Sequence, residues 1–100
     1  MPILAPWKLF IDLIVDLETD QPGVYELGNR ESQVIYIGSS GQIRTRLLEH
    51  VKTYRPACIK TNAVVYRVEY RANRMARERE LYDEFLSVNR RAPRCNDTTP

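Results

Sequence analysis

Polar side chains recur at every fourth position near the start of the chain, at Lys8, Asp12 and Asp16, with almost wholly apolar residues between them. That recurrence places the three on one narrow stripe of a helix, so the pattern predicts a mostly buried helix over residues 5–17, with Pro6 in its first turn. Asp20, Pro22 and Gly23 then break it. Two β-type runs follow, Val24-Tyr25-Glu26-Leu27 and Val34-Ile35-Tyr36-Ile37, joined by a short polar connection, and they predict an antiparallel hairpin. After Gly38-Ser39-Ser40-Gly41, the spacing of Ile43, Leu47, Val51 and Tyr54 predicts a helix over 42–54, which Arg55-Pro56 ends. Strict alternation marks a strand over 63–70, with Val64, Tyr66, Val68 and Tyr70 on one side and Val65, Arg67 and Glu69 on the other. A long helix over 73–89 and a basic tail, Arg90-Arg91-Ala92-Pro93-Arg94-Cys95-Asn96, complete the chain. Three strands with helices against them predict a small α/β or α+β sandwich.

With 100 residues, 43% apolar and 28% charged, the chain is expected to form one domain over residues 1–100. No uninterrupted apolar run exceeds four residues, the stretch at 13–15 being only three, far too short for a membrane span. Lys8, Asp12 and Asp16 interrupt the first apolar stretch, which does not suit a signal peptide. Cys58 and Cys95 are too few for a disulfide framework and lack metal-ligand spacing, so reduced thiols and a cytoplasmic location are the expectation.

The net charge of +2 conceals an asymmetry. Residues 1–40 carry two basic and six acidic side chains, whereas 41–100 carry thirteen basic and seven acidic. Twelve of the fifteen basic residues are Arg, whose planar fork matches phosphate oxygens. Either a solvated surface or a polyanion partner fits this balance, and charge alone does not separate them.

Four features stand out as candidate chemistry. Tyr25 and Tyr36 occupy equivalent places in the two hairpin strands. Arg46 and His50, the chain's only histidine, lie four apart and share a helix face. On the last helix, Glu78 falls near the middle of the face set by Met75, Leu81, Tyr82, Phe85 and Leu86, while Glu80 and Glu84 point away. A carboxylate in such a place needs a cation, so an arginine salt bridge and a Mg²⁺ ligand are equal readings. Asn96, by itself, reads as an exposed polar residue.

Gly23-Val24-Tyr25, then Tyr36-Ile37-Gly38 after ten residues, then Arg46, His50, Glu78 and Asn96 in order, together resemble the GIY-YIG nuclease family over about residues 22–96. The resemblance implies a small three-stranded antiparallel sheet flanked by helices. It also implies a metal-dependent endonuclease acting on nucleic acid, DNA being preferred. By position, Tyr25 matches the tyrosine that activates the nucleophile and Tyr36 the one that positions water or phosphate. Arg46 matches the phosphate-binding arginine, His50 a residue used in proton transfer or phosphate contact, Glu78 the carboxylate that holds Mg²⁺ or Mn²⁺, and Asn96 a supporting polar residue. Positive neighbours would favour the Tyr25 phenolate. Ser39 stands where some members have lysine. With Arg44, Arg46, Arg90, Arg91 and Arg94, it forms the candidate nucleic-acid contact set. Shorter spacings to Asn96 would select Glu80 or Glu84, but only Glu78 faces the core. A non-catalytic nucleic-acid-binding module is the alternative; cutting both strands would require a homodimer or sequential nicks, or a separate targeting protein would supply the address.

Overall fold

The structure, a computed structural model, describes residues 1–53 and 56–96, with the backbone alone at 53. Its sheet grows from the hairpin. In the connection, the Asn29 side-chain oxygen accepts from the backbone N–H of Glu31 and of Gln33, 3.1 and 2.9 Å away, and Ser32 takes the left-handed conformation that closes the turn. This turn sets β2 (Gly23–Gly28) antiparallel to β3 (Val34–Ser40), with Tyr25 opposite Gly38. On its other side β2 pairs with β4 (Val65–Tyr70), and β4 pairs with the two-residue β1 (Lys8–Leu9). The result is a four-stranded antiparallel sheet in the order β1-β4-β2-β3, one strand more than the sequence predicts. All six residues of β2 are buried, and β3 is an edge.

The sheet separates two cores. On one face α1 (Asp12–Val15), α2 (Ile43–Leu48) and α3 (Ala57–Asn62) enclose Tyr25, Leu27, Tyr66 and Val68 with Val15, Ile43, Leu47 and Ile59. On the other, α4 (Arg74–Asn89) lays Leu81 and Phe85 against Val24, Ile37 and Ile3. The α+β class and the face alternation of β4 agree with the sequence reading. Tyr66 and Val68 fill the first core, while Arg67 and Glu69 pair with charges on the α4 side.

Three expectations require correction. The helix predicted over 5–17 is only the single turn α1, because Lys8 and Leu9 pair with Tyr66 and Val65 as a strand. The three polar residues serve separate ends: Lys8 bonds Glu18, Asp12 accepts from the Leu13 N–H, and Asp16 pairs with Arg44. The helix predicted over 42–54 is regular only to Leu48 and continues as one π-helical turn, Glu49–Thr53, while Tyr54 and Arg55 lie outside the described residues. Cys58 and Cys95, expected as free thiols, are joined by a disulfide between α3 and the segment after α4. Among the described residues, no helix is long and apolar enough to cross a membrane.

Candidate active site

Gly23 and Gly38 of the hairpin are small because other groups need their space. A β-carbon at Gly38 would stand 2.6 Å from the Tyr25 ring and hydroxyl, and 2.9 Å from Tyr36. At Gly23 it would meet the Glu69 carbonyl oxygen at 2.6 Å. The missing side chain at Gly38 lets the Tyr25 ring lie across β3. There it stacks on Tyr36, with ring centroids 6.0 Å apart and planes inclined by 22°.

His50, carried on the π-helical turn, completes a cluster of three rings. Its centroid lies 5.8 Å from that of Tyr25 and 5.5 Å from that of Tyr36. Its Nε2 is 3.0 Å from the Tyr25 hydroxyl, and both residues are about 1% exposed. Burial, reinforced by Tyr36, pushes the Tyr25 phenol far above its ordinary value, and the Arg46 guanidinium only partly opposes this. Among the groups that surround it here, desolvation outweighs the Arg46 guanidinium, so Arg46 alone does not make Tyr25 a phenolate. Arg46 itself pairs with Glu49 across one helical turn at 3.1 Å, and both remain partly exposed. Glu49 is a site residue that the sequence reading missed, although its i,i+3 spacing from Arg46 was visible.

Glu78 lies on the other face of β3. Its Oε1 accepts a 2.5 Å hydrogen bond from the Ser39 hydroxyl, and Ser39 in turn accepts from Arg74 at 3.3 Å. Glu78 is half-buried, and its partner is a hydroxyl where a salt bridge or metal had been weighed. The helix face predicted around it is rotated: Met75 is 69% exposed, whereas Arg77 is buried and held by Glu69 and Glu80. Glu84 instead receives the chain's amino terminus at 2.7 Å. Glu80 and Glu84 are thus engaged by Arg77 and the amino terminus, whereas Glu78 bonds Ser39.

Asn96 bonds both ends of the Ile37 peptide, accepting from its N–H at 2.9 Å and donating to its carbonyl at 3.0 Å. Its amide thus imitates a neighbouring strand on the free edge of β3, between Tyr36 and Gly38. The remaining candidates are dispersed. Arg44 pairs with Asp16, the Arg91 guanidinium lies 6.0 Å from the Phe85 ring centre, and Arg90 and Arg94 are exposed beyond the far end of α4.

So Tyr25, Tyr36, Arg46 and His50 meet on the α2 face at Gly38, and Glu78 meets the next residue, Ser39, on the α4 face. Among the described residues, no three His, Cys, Asp or Glu side chains gather as a metal cage. Residues 21–96 match the family profile described as the UvrC-like GIY-YIG domain. The chain is also 33% identical over 95 residues to UvrABC system protein C of Methylococcus capsulatus (strain ATCC 33009 / NCIMB 11132 / Bath), covering 92% of this chain and 15% of that protein. It therefore spans well under two thirds of that relative's length. With the motif tyrosines stacked over Gly38 and the match spanning the whole hairpin-to-Asn96 segment, the chain belongs to the GIY-YIG nuclease family.

Proposed function

We propose that this domain is a divalent-metal-dependent endonuclease that hydrolyses phosphodiester bonds in DNA. The observation that supports it most is the buried hydrogen bond between Tyr25 and His50, with Arg46 acting on the same hydroxyl. A phenol whose pKa burial has raised is a poor base by itself. With His50 in the tautomer that leaves Nε2 open, Tyr25 donates its proton there. The Tyr25 oxygen can then take a proton from water while its own passes to His50, so the attacking oxygen gains negative character without a free phenolate forming. Arg46 offers a fork to the phosphate oxygens, whose charge grows as the bond to water forms. Tyr36, stacked on Tyr25 and half-buried, keeps that hydroxyl in register.

Glu78 is the side chain that would hold a metal ion. A lone carboxylate beside a serine hydroxyl is an all-oxygen donor set, which suits Mg²⁺ or Mn²⁺ retaining most of its waters. When bound, such an ion supplies Lewis-acid neutralisation of phosphate charge. Because β3 is an edge strand, a backbone lying along Gly38 and Ser39 can meet groups on both faces.

Incubation with supercoiled plasmid in Mg²⁺ or Mn²⁺ is expected to give nicked circles, with no product in EDTA. Glu78→Ala is expected to lower the rate about 10²–10³-fold, as for loss of one group that stabilises the transition state. Salt-sensitive DNA binding with no cut in either metal would replace this reading with that of a non-catalytic binding module.

A further inference from the structure

Most arginines near the sheet are already committed to carboxylates: Arg44 to Asp16, Arg46 to Glu49, Arg67 to Glu26, Arg71 to Glu69, and Arg77 to Glu69 and Glu80. Arg74 is different. It opens α4 one turn before Glu78 and is half-buried, and among the described residues it has no carboxylate within ion-pair distance. One guanidinium nitrogen donates to the Ser39 hydroxyl at 3.3 Å, and the hydroxyl proton is spent on Glu78. The Nε lies over Gly41, 3.9 Å from where a β-carbon on that glycine would stand.

A guanidinium has five N–H donors and no accepting capacity. One bond to a neutral hydroxyl leaves most of that donor capacity for an anion, with the Glu78 carboxylate one hydroxyl away. The arrangement also fixes the fork, because Ser39 is anchored by Glu78 on one side and by the hairpin backbone on the other. We infer that Arg74 is a phosphate-binding side chain, gripping the nucleic-acid backbone on the α4 side of β3, across the strand from Arg46. This rests on the nuclease reading above.

The test measures binding of a short fluorescein-labelled DNA duplex by anisotropy, in EDTA to prevent cutting, between 50 and 200 mM salt. Removing one phosphate contact should reduce the slope of log affinity against log salt by about 0.9, so that the affinity lost across that range shrinks about threefold. Arg74→Ala is expected to show this, and so is Arg74→Gln, which can still donate to Ser39 but carries no charge. Arg74→Lys, which keeps the charge, is expected to keep the slope. Circular dichroism and melting show which variants are folded, so Arg74→Gln decides the matter should Arg74→Ala not fold. A wild-type slope in folded Arg74→Gln overturns the proposal and reduces Arg74 to a positioning residue for Ser39, with the nuclease reading intact. Absence of DNA binding by the wild-type chain at every salt concentration overturns both.

Discussion

The Tyr25 hydroxyl and the His50 Nε2 stand 3.0 Å apart in the interior, so a proton can pass directly between them. If they act as one relay in cleavage, Tyr25→Phe and His50→Ala should each lower the cleavage rate about 10²–10⁴-fold. The double variant should be little worse than either single one, because groups acting as a unit are not additive. Independent, multiplying losses in single-turnover cleavage would show that the two act separately.

Gly38→Ala places a methyl 2.6 Å from the Tyr25 ring. Either the ring or the strand must give way, and overpacking of this kind costs about 1–3 kcal/mol. A lower melting temperature and a changed near-ultraviolet tyrosine spectrum are expected together. An unchanged spectrum would mean that β3 yields instead of the ring.

Glu26 is 4% exposed beneath α4, and Arg67 meets it at 2.6 Å with its guanidinium 4.2 Å from the Trp7 ring centre. Arg67→Ala strands a buried carboxylate and should cost about 3–5 kcal/mol in denaturant unfolding. Replacing both partners, as Glu26→Leu with Arg67→Met, should recover most of that loss. A double variant as unstable as Arg67→Ala would refute this account of the pair.

Burial works to raise the Glu18 carboxyl, but hydrogen bonds from Lys8, Tyr66 and Tyr70 win and hold it below its ordinary 4.5. A group depressed in the folded state stabilises fully above its unfolded pKa, and that contribution is lost as pH falls through the folded one. Stability should therefore decline with acidification below about pH 4.5, starting from its value at neutral pH. Glu18→Gln should lower the neutral-pH plateau and flatten this part of the curve; parallel curves for the two proteins would exclude Glu18 as a source.

The Cys58–Cys95 disulfide closes a loop with a sequence separation of 37. Cross-links of that span contribute about 2–4 kcal/mol. Dithiothreitol should lower the melting temperature of the wild-type chain but not that of Cys58→Ser. Equal responses would place the effect elsewhere.

The hairpin was legible because alternation and turn chemistry act locally, and the motif spacing then identified Tyr25, Tyr36, Arg46 and His50 as a group. The N-terminal segment was not. Lys8, Asp12 and Asp16 share a helical period by coincidence of three unrelated partners, and pairing with β4 overrides it. On α4, the apolar pattern could not reveal that Glu69 would draw Arg77 inward and turn Met75 out. Glu78 was chosen for facing the core, yet its actual neighbour is a serine hydroxyl, a contact set by the sheet's register and not by helix periodicity. Arg74, one turn earlier on the same face, carried a signal that periodicity could have found.

A strand edge ordinarily waits for a neighbour, and here Asn96 takes that place at Ile37, between Tyr36 and Gly38. During synthesis, tyrosines made early must stand beside an unclosed margin until residue 96 leaves the ribosome and folds back. The pocket is thus closed by the last-made of its residues, and a nascent chain can carry the whole hairpin before that closure is in place.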